Sequence, residues 1–158
     1  MSSAWIIAAM TRIAFYEAKP PAGRDAILYR ALRDDVAFRF VLIGADGADY
    51  EVVREHGTPD REGGVVVINP FEAPEEADDA FLTGWDGSRA VLARQQGYLG
   101  TRLHRSIGPA DFRFVNVSRW SSPLMVQRAL QRAEFRDAVA AIPYPSHPAL
   151  YQVARADV

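Results

Sequence analysis

The segment FRFVNVSRW, Phe112–Trp120, alternates apolar and polar residues as a half-buried strand does. Residues two apart on a strand share a face. Phe112, Phe114, Asn116, Ser118 and Trp120 are therefore expected on one side, with a carboxamide among three large aromatics. Val or Leu would fill a plain core face more simply. An amide that both donates and accepts, set between aromatic walls, suits a flat phenolic ligand. His104, on the preceding apolar stretch, has a near-neutral pKa that could accept or share a proton. Hairpin register decides whether it joins Asn116. A five-residue loop between Ser106 and Phe112 puts it on the Asn116 face, and a four- or six-residue loop puts it on the other. Packing alone is the competing explanation: Asn116 bonding a loop, Trp120 closing a strand end, His104 at a surface strand end.

The elements that must position these residues follow from the pattern. VVVINPFEA (65–73) is β-branched and apolar and reads as a strand buried on both faces, stopped by Pro74. Residues 75–97 start acidic and end with Arg94 and Gly97, as a helix does. Phe81, Trp85, Ser88 and Leu92 fall on one face of it, while Gly84 and Gly87 weaken it by about 1 kcal/mol each against Ala. YLGTRLHR (98–105) and 112–120 form a hairpin across the turn SIGPAD. Ser122 is a natural N-cap with Pro123 at the first helical position, opening a helix that runs to Ile142 with Phe135, Val139 and Ile142 along one face. ALYQVAR (149–155) closes the chain as a strand. The order β-α-β-β-α-β defines an α+β, ferredoxin-like fold: an antiparallel sheet with both helices on one face. Its other face needs a cover, for which a homodimer is the expected solution.

The polar segment HGTPDREGG (56–64) separates this unit, residues 64–158, from residues 1–60. The first part reads strand, helix, strand, an N-terminal β-α-β extension. FYEAKPPAGRDAIL echoes PFEAPEEADDAFL, so the extension also reads as a degenerate half-repeat, or as two unrelated βα units.

The 158 residues carry 49% hydrophobic and 24% charged residues and a net charge of −2, an ordinary globular composition. No basic block exists to grip phosphates, which argues against nucleic acid. With no cysteine, disulfides, thiol nucleophiles and thiolate metal sites are excluded. The only early apolar run, Ala4–Met10, is too short for a secretory core or a membrane span. A cytoplasmic protein is expected. There is no glycine-rich phosphate loop, G-x-S-x-G elbow or metal-ligand spacing.

VVVINPFEA, QQGYLGTRLHR, FRFVNVSRW and AEFRDAVAAIP, in this order and spacing, resemble the antibiotic biosynthesis monooxygenase family over about residues 64–154. The resemblance implies a dimeric α+β barrel. Members include cofactor-independent oxygenases that turn polyketide phenols or anthrones into quinones with O2, haem-degrading enzymes, and related cyclases. It implies that Asn116 and Trp120 belong to the N-x-x-x-W pattern of the quinone-forming relatives. It also implies that His104 matches their histidine and Arg136 an arginine able to neutralise a phenolate. Trp120 with Phe112 and Phe114 would then clamp the ring, and Trp85 and Asn69 would also bind the substrate. A tyrosine of those relatives is replaced by Val126. Asn69 matches an asparagine of the haem-degrading subgroup, but that subgroup's iron-ligating histidine is replaced by about Val139. The function implied is a cofactor-free monooxygenase on an aromatic polyketide-like substrate. The alternatives are a polyketide cyclase or aromatase on the same barrel and a non-catalytic binding subunit.

Overall fold

The computed structural model describes residues 10–21, 26–61 and 63–154. The apolar run at 4–9 and the Ala22–Asp25 part of the internal echo lie outside them. Eight strands, each paired antiparallel to its neighbours, close into a barrel in the order β1-β3-β2-β8-β5-β7-β6-β4. They are β1 Met10–Tyr16, β2 Ile27–Ala31, β3 Phe40–Ile43, β4 Ala48–Gly57, β5 Val65–Phe71, β6 Tyr98–Ser106, β7 Phe114–Trp120 and β8 Ala149–Val153.

The C-terminal half is the expected ferredoxin-like unit. Its sheet runs β8-β5-β7-β6, and α1 (Asp78–Leu92), α2 (Pro123–Leu130) and α3 (Ala133–Ala140) belong to this half alone. A single 3-10 turn, Glu75–Ala77, leads into α1. Asp78 and Asp79 occupy the first turn of α1, where the positive end of the helix favours them. Asp78 accepts a two-pronged bond from Arg113, at 3.0 and 2.6 Å, which ties the helix to the start of β7. Ser122 caps α2 by accepting from the Met125 amide at 3.4 Å, with Pro123 behind it.

The second helix is not continuous. It breaks at Gln131–Arg132, and Arg132 adopts an extended backbone. On one unbroken helix Phe135 would lie about 180° from Val126 at 100° per residue. The break re-phases the chain so that Val126, Ala129 and Phe135 pack in the same cluster against Trp120.

The N-terminal half differs from its expected β-α-β. Residues 27–31 form β2, not a helix, because Tyr29 and Ala31 turn into the barrel and pair with both β3 and β8. Sheet partners on both edges outweigh the local helix preference of Ala, Leu and Arg. This half runs β4-β1-β3-β2, so in both halves the order is last, first, third, second strand. The two halves thus share one strand order, with helices absent from the described residues of the first. β2 pairs with β8 and β4 with β6, so the barrel closes within one chain. The sheet face expected to need a second chain is covered by this chain's own first four strands. Barrel closure therefore gives no reason for a homodimer.

Where the second helix of the N-terminal half would lie, four residues suffice. β3 pairs with Ile13–Tyr16 on one edge of β1, and β4 with Met10–Ile13 on the other. The chain crosses directly over β1 at Gly44–Gly47. Gly47 has φ +92°, and a Cβ there would fall on the carbonyl of Ile13. Gly47→Val should therefore lower stability by at least ~2 kcal/mol in urea titration, from left-handed strain plus the clash. Gly87→Ala, in helical geometry with open space around it, should raise stability by up to about 1 kcal/mol in the same assay.

Candidate functional site

The alternation of β5 and β7 sorts side chains to two sides. Val66, Ile68, Val115 and Val117 point into the barrel and form its core with Ile13, Val41, Tyr50 and Tyr151. Asn69, Asn116, Ser118 and Trp120 face the helices. Asn69 and Asn116 are directly opposed across the β5–β7 ladder. On this side two apolar clusters flank the polar row. One gathers Trp120, Leu92, Val126 and Phe135. The other gathers Trp85, Phe71, Phe81 and Phe114.

Between the clusters lies a cavity of about 380 Å³, in the size range of small-molecule sites. Asn69, Asn116 and Ser118 line it, and Trp85, Phe71, Trp120 and Phe135 are among its apolar walls. Exposed Leu130 and Val139 and the cations Arg33 and Arg89 mark its outer parts. Two links fix the helices over it. Gln95 on the turn after α1 donates to Glu134 of α3 at 3.1 Å, and Gly84 lets α1 approach the Ala141 carbonyl.

The polar floor is partly committed. Thr101 donates through Oγ1 to Asn116 Oδ1 at 2.8 Å, which orients that amide with its Nδ2 left without a protein partner among the described residues. Trp120 donates its indole N–H to Ser118 Oγ at 3.1 Å. Asn69 Oδ1 is sealed from solvent with no hydrogen-bond partner. A larger cleft, about 800 Å³, lies near Tyr29 and Tyr151. Its Arg119 is committed to the carbonyls of Pro59 and Gly63 at 2.7 and 3.0 Å, and it borders undescribed residues. It offers no comparable set of open amides.

The expected residues divide accordingly. Asn116, Trp120, Trp85 and Asn69 come together in the cavity. Phe114 lies on the correct face but stacks flat on Phe81, centroids 3.9 Å apart, and forms core behind the wall. Phe112 is not on this face. β7 begins only at Phe114, and Phe112 turns into the barrel against Phe15 and Phe38. Arg136 is exposed on α3 and does not line the cavity. The half-buried Arg89 of α1 lines it instead, one turn beyond Trp85, and forms no ion pair among the described residues. Arg33 is held by Asp35 at 2.8 and 2.7 Å.

His104 is excluded by register. The Ser106 amide bonds the Arg113 carbonyl, which leaves a six-residue loop, and His104 pairs with Val115 while Leu103 pairs with Asn116. His104 therefore points into the barrel, 4% exposed, donating from Nδ1 to the Val115 carbonyl at 3.1 Å. Burial pushes its pKa down to about 4, against the opposing effect of that bond.

Haem does not fit this donor set. Val139 lines the cavity, none of His56, His104 and His147 does, and no metal-holding cluster of three or more His, Cys, Asp or Glu occurs among the described residues. No helix among them is long and apolar enough to cross a membrane.

Eight antiparallel strands closed around a core, with helices over an amide-floored cavity, define an α+β barrel. The chain belongs to the antibiotic biosynthesis monooxygenase family, whose model matches residues 64–141. A putative monooxygenase from Shewanella loihica PV-4 is 35% identical, with TM-score 0.52 over 60% of this chain and 98% of that one. SnoaB, a cofactor-independent oxygenase from Streptomyces nogalater, is 24% identical, with TM-score 0.53 over 60% of this chain and 96% of that one. A haem-degrading enzyme from Listeria monocytogenes is 16% identical but matches 92% of this chain and all 100% of its own, with TM-score 0.64. No curated protein matches the sequence.

The buried neutral His104 has a consequence for stability. Its folded pKa lies below the ordinary 6.5, so the unfolded chain takes up the proton first as pH falls. Its contribution is complete above pH 6.5 and is lost on acidification toward pH 4. The loss totals about 3 kcal/mol. The stability difference between the protein and a His104→Leu variant, followed by urea unfolding, should shift by that amount in the variant's favour from pH 7 to 4.

Proposed function

We propose that the cavity binds a flat hydroxyaromatic, such as a polyketide phenol or anthrone, and that the protein is a cofactor-independent monooxygenase forming the quinone with O2. The observation that carries this reading is the Asn116 amide. It is anchored through Oδ1 by Thr101 and leaves Nδ2 free, on the floor of a cavity walled by Trp85, Phe71 and Phe135.

The substrate supplies the electrons. Loss of a proton from the ring system gives an anion whose charge is shared with the ring oxygen. Asn116 Nδ2 donates to that oxygen, and the Arg89 guanidinium favours the charge from the rim. The anion passes one electron to O2, and the resulting radical and superoxide combine at the ring carbon. The peroxide takes up a proton; the remaining carbon hydrogen then leaves as a proton, its electron pair forms C=O as the O–O bond breaks, and the distal oxygen departs as hydroxide that takes up a proton to become water. A methylene becomes a carbonyl, a four-electron oxidation that balances the four-electron reduction of O2. One oxygen atom enters the product and the other leaves in water. The apolar walls keep bulk water from the anion and the peroxide.

With His104 inside the barrel, the titratable side chains lining the cavity are Arg33 and Arg89. Neither is a base at neutral pH. The substrate therefore ionises under the positive field of the rim, and its proton passes to solvent. The rate follows the ionisation of the substrate. The fold shared with a cofactor-independent oxygenase supports this reading, and a place in antibiotic or polyketide tailoring in the cytoplasm accompanies it.

Oxygen uptake with 1,8-dihydroxyanthrone under 18O2 tests it. One labelled atom per quinone is expected, with no hydrogen peroxide released. Asn116→Ala should lower kcat/KM about 100-fold, the usual effect of removing one oxyanion donor. Arg89→Gln should lower it about 10-fold and move the rising limb of the pH profile upward. Turnover that persists without O2 would replace oxygenation by ring closure. Full pathway rate with Asn116→Ala would leave a binding role only.

A further inference from the structure

Tryptophan gives up an electron far more readily than phenylalanine, and two tryptophans, Trp85 and Trp120, wall the cavity. Trp85 meets no second ring among the described residues. Trp120 does. Directly across the β6–β7 ladder stands Tyr98, edge-on to the indole with centroids 5.9 Å apart. Tyr98 in turn lies nearly parallel to His56, with centroids 5.9 Å apart and planes at 23°. Its hydroxyl is 3.0 Å from His56 Nδ1. Trp120 is 1% exposed, Tyr98 is half-buried and His56 is exposed. The three rings form an unbroken line from the cavity wall to the surface. The line also crosses between the halves of the barrel, because β4 supplies His56.

Hydrogen bonds decide how far an electron vacancy can travel along it. The Trp120 N–H is held by Ser118 Oγ at 3.1 Å. A neutral hydroxyl is not a base, so an oxidised Trp120 keeps its proton as a radical cation and stays a strong oxidant. A phenol behaves differently. Loss of an electron makes it so acidic that its proton leaves at once, and a base must stand ready. His56 is that base: with its ring proton on Nε2, its Nδ1 accepts from the Tyr98 hydroxyl. Burial pushes the Tyr98 phenol up to about 12, so it holds its proton until then. No other described tyrosine joins a base to a ring of the cavity wall. Tyr50 and Tyr151 donate to backbone carbonyls. Tyr16 donates to Asp46 but has no ring beside it among the described residues.

We propose that Trp120, Tyr98 and His56 form a relay that carries a one-electron oxidation out of the cavity to the protein surface. Its oxidant is an organic peroxyl radical, formed when superoxide escapes and the ring radical left behind adds O2. The peroxyl radical takes one electron from Trp120 and becomes a peroxide anion, which a proton from water converts to the hydroperoxide. The Trp120 radical cation then takes one electron from Tyr98, and the phenolic proton passes to His56. A neutral tyrosyl radical remains beside a protonated imidazole. A soluble thiol or ascorbate supplies one electron there, the imidazole returns the proton, and the line is restored. The cavity wall is thereby spared lasting damage. This use rests on the reading of the cavity as an oxygenase site. The relay itself does not, because ring contacts and one hydrogen bond set it.

Pulse radiolysis tests the relay without substrate or turnover. The azide radical oxidises tryptophan, and tryptophan and tyrosine radicals absorb at different wavelengths. In a Trp5→Phe/Trp85→Phe protein, whose one remaining tryptophan is Trp120, the tryptophan signal should decay as the tyrosyl signal rises. The rate should not depend on protein concentration, and it should fall in D2O. Tyr98→Phe keeps the ring and its packing but should slow the conversion at least tenfold, which a merely structural tyrosine would not do. His56→Leu should slow it and abolish the D2O effect. Spin trapping in the protein with all its tryptophans covers a double variant that does not fold. A nitrone should label Tyr98 in the wild type, as located by peptide mass spectrometry, and Trp120 in Tyr98→Phe. No conversion in the single-tryptophan protein, an undiminished rate in either variant, or a label that never reaches Tyr98 overturns the relay. Conversion through Tyr98 in a protein that consumes no O2 with an anthrone would retain the relay and discard the oxygenase.

Discussion

The structure depends on closing two open sheet edges. A four-stranded ferredoxin-like sheet ends in strands with unpaired N–H and C=O groups, here β6 and β8. Such edges invite pairing with another chain. In this protein β4 and β2 pair with them over Tyr50–Gly57 and Tyr29–Ala31, so the barrel has no free edge. The inward faces of both halves can then be apolar without exposing a patch. Val41, Ile68 and Val115 are fully buried in that interior. The crossing over β1 at Gly47 follows from the same demand, since β3 and β4 must lie on opposite edges of β1 with only four residues between them.

Closure from within also fixes where a site can be. A barrel of eight strands has an interior that side chains just fill, and here that interior takes even His104. The amide-lined space lies outside the sheet, beneath a covering layer. The described helices all belong to the C-terminal half, and the amide-lined cavity sits under them. The match to one neighbour over 92% of this chain and the matches to two others over 60% of it accord with two sheets of one strand order. The described helices lie on one of these sheets, and the other closes the barrel.

Much of the C-terminal half was legible because its signals are local. Pro74, the Ser122–Pro123 cap and the β-branched run at Val65 each act within a few residues. The N-terminal half was not, because Ile27–Ala31 becomes a strand through ladder partners ten or more residues away or at the far end of the chain. The site shows the same division. Asn116, Ser118 and Trp120 followed from period-two alternation. Phe112 failed because the strand starts two residues later, and His104 because one residue in the hairpin loop turns the strand over. Arg136 came from the family resemblance, not from spacing. Arg89 was readable: it lies four residues from Trp85 and three from Leu92, on the stripe that also holds Ser88. The break at Gln131–Arg132 has no Gly or Pro to announce it, and only the demand that Phe135 share a face with Val126 accounts for it.

What the packing leaves unspent says most about chemistry. Arg113, Arg54 and Arg102 are each tied to a carboxylate, Arg119 to carbonyls, and the tyrosines Tyr50 and Tyr151 to backbone oxygens at 2.8 and 2.6 Å. Even the buried histidine has its acceptor. Against that background, two neighbouring amides with open nitrogens and one orphaned oxygen are exceptional, and they occur where the helices leave room. A fold selected for stability alone would place Leu or Val at both positions, as it does at the adjacent inward ones. Retaining an amide whose oxygen is sealed without a donor sacrifices some stability.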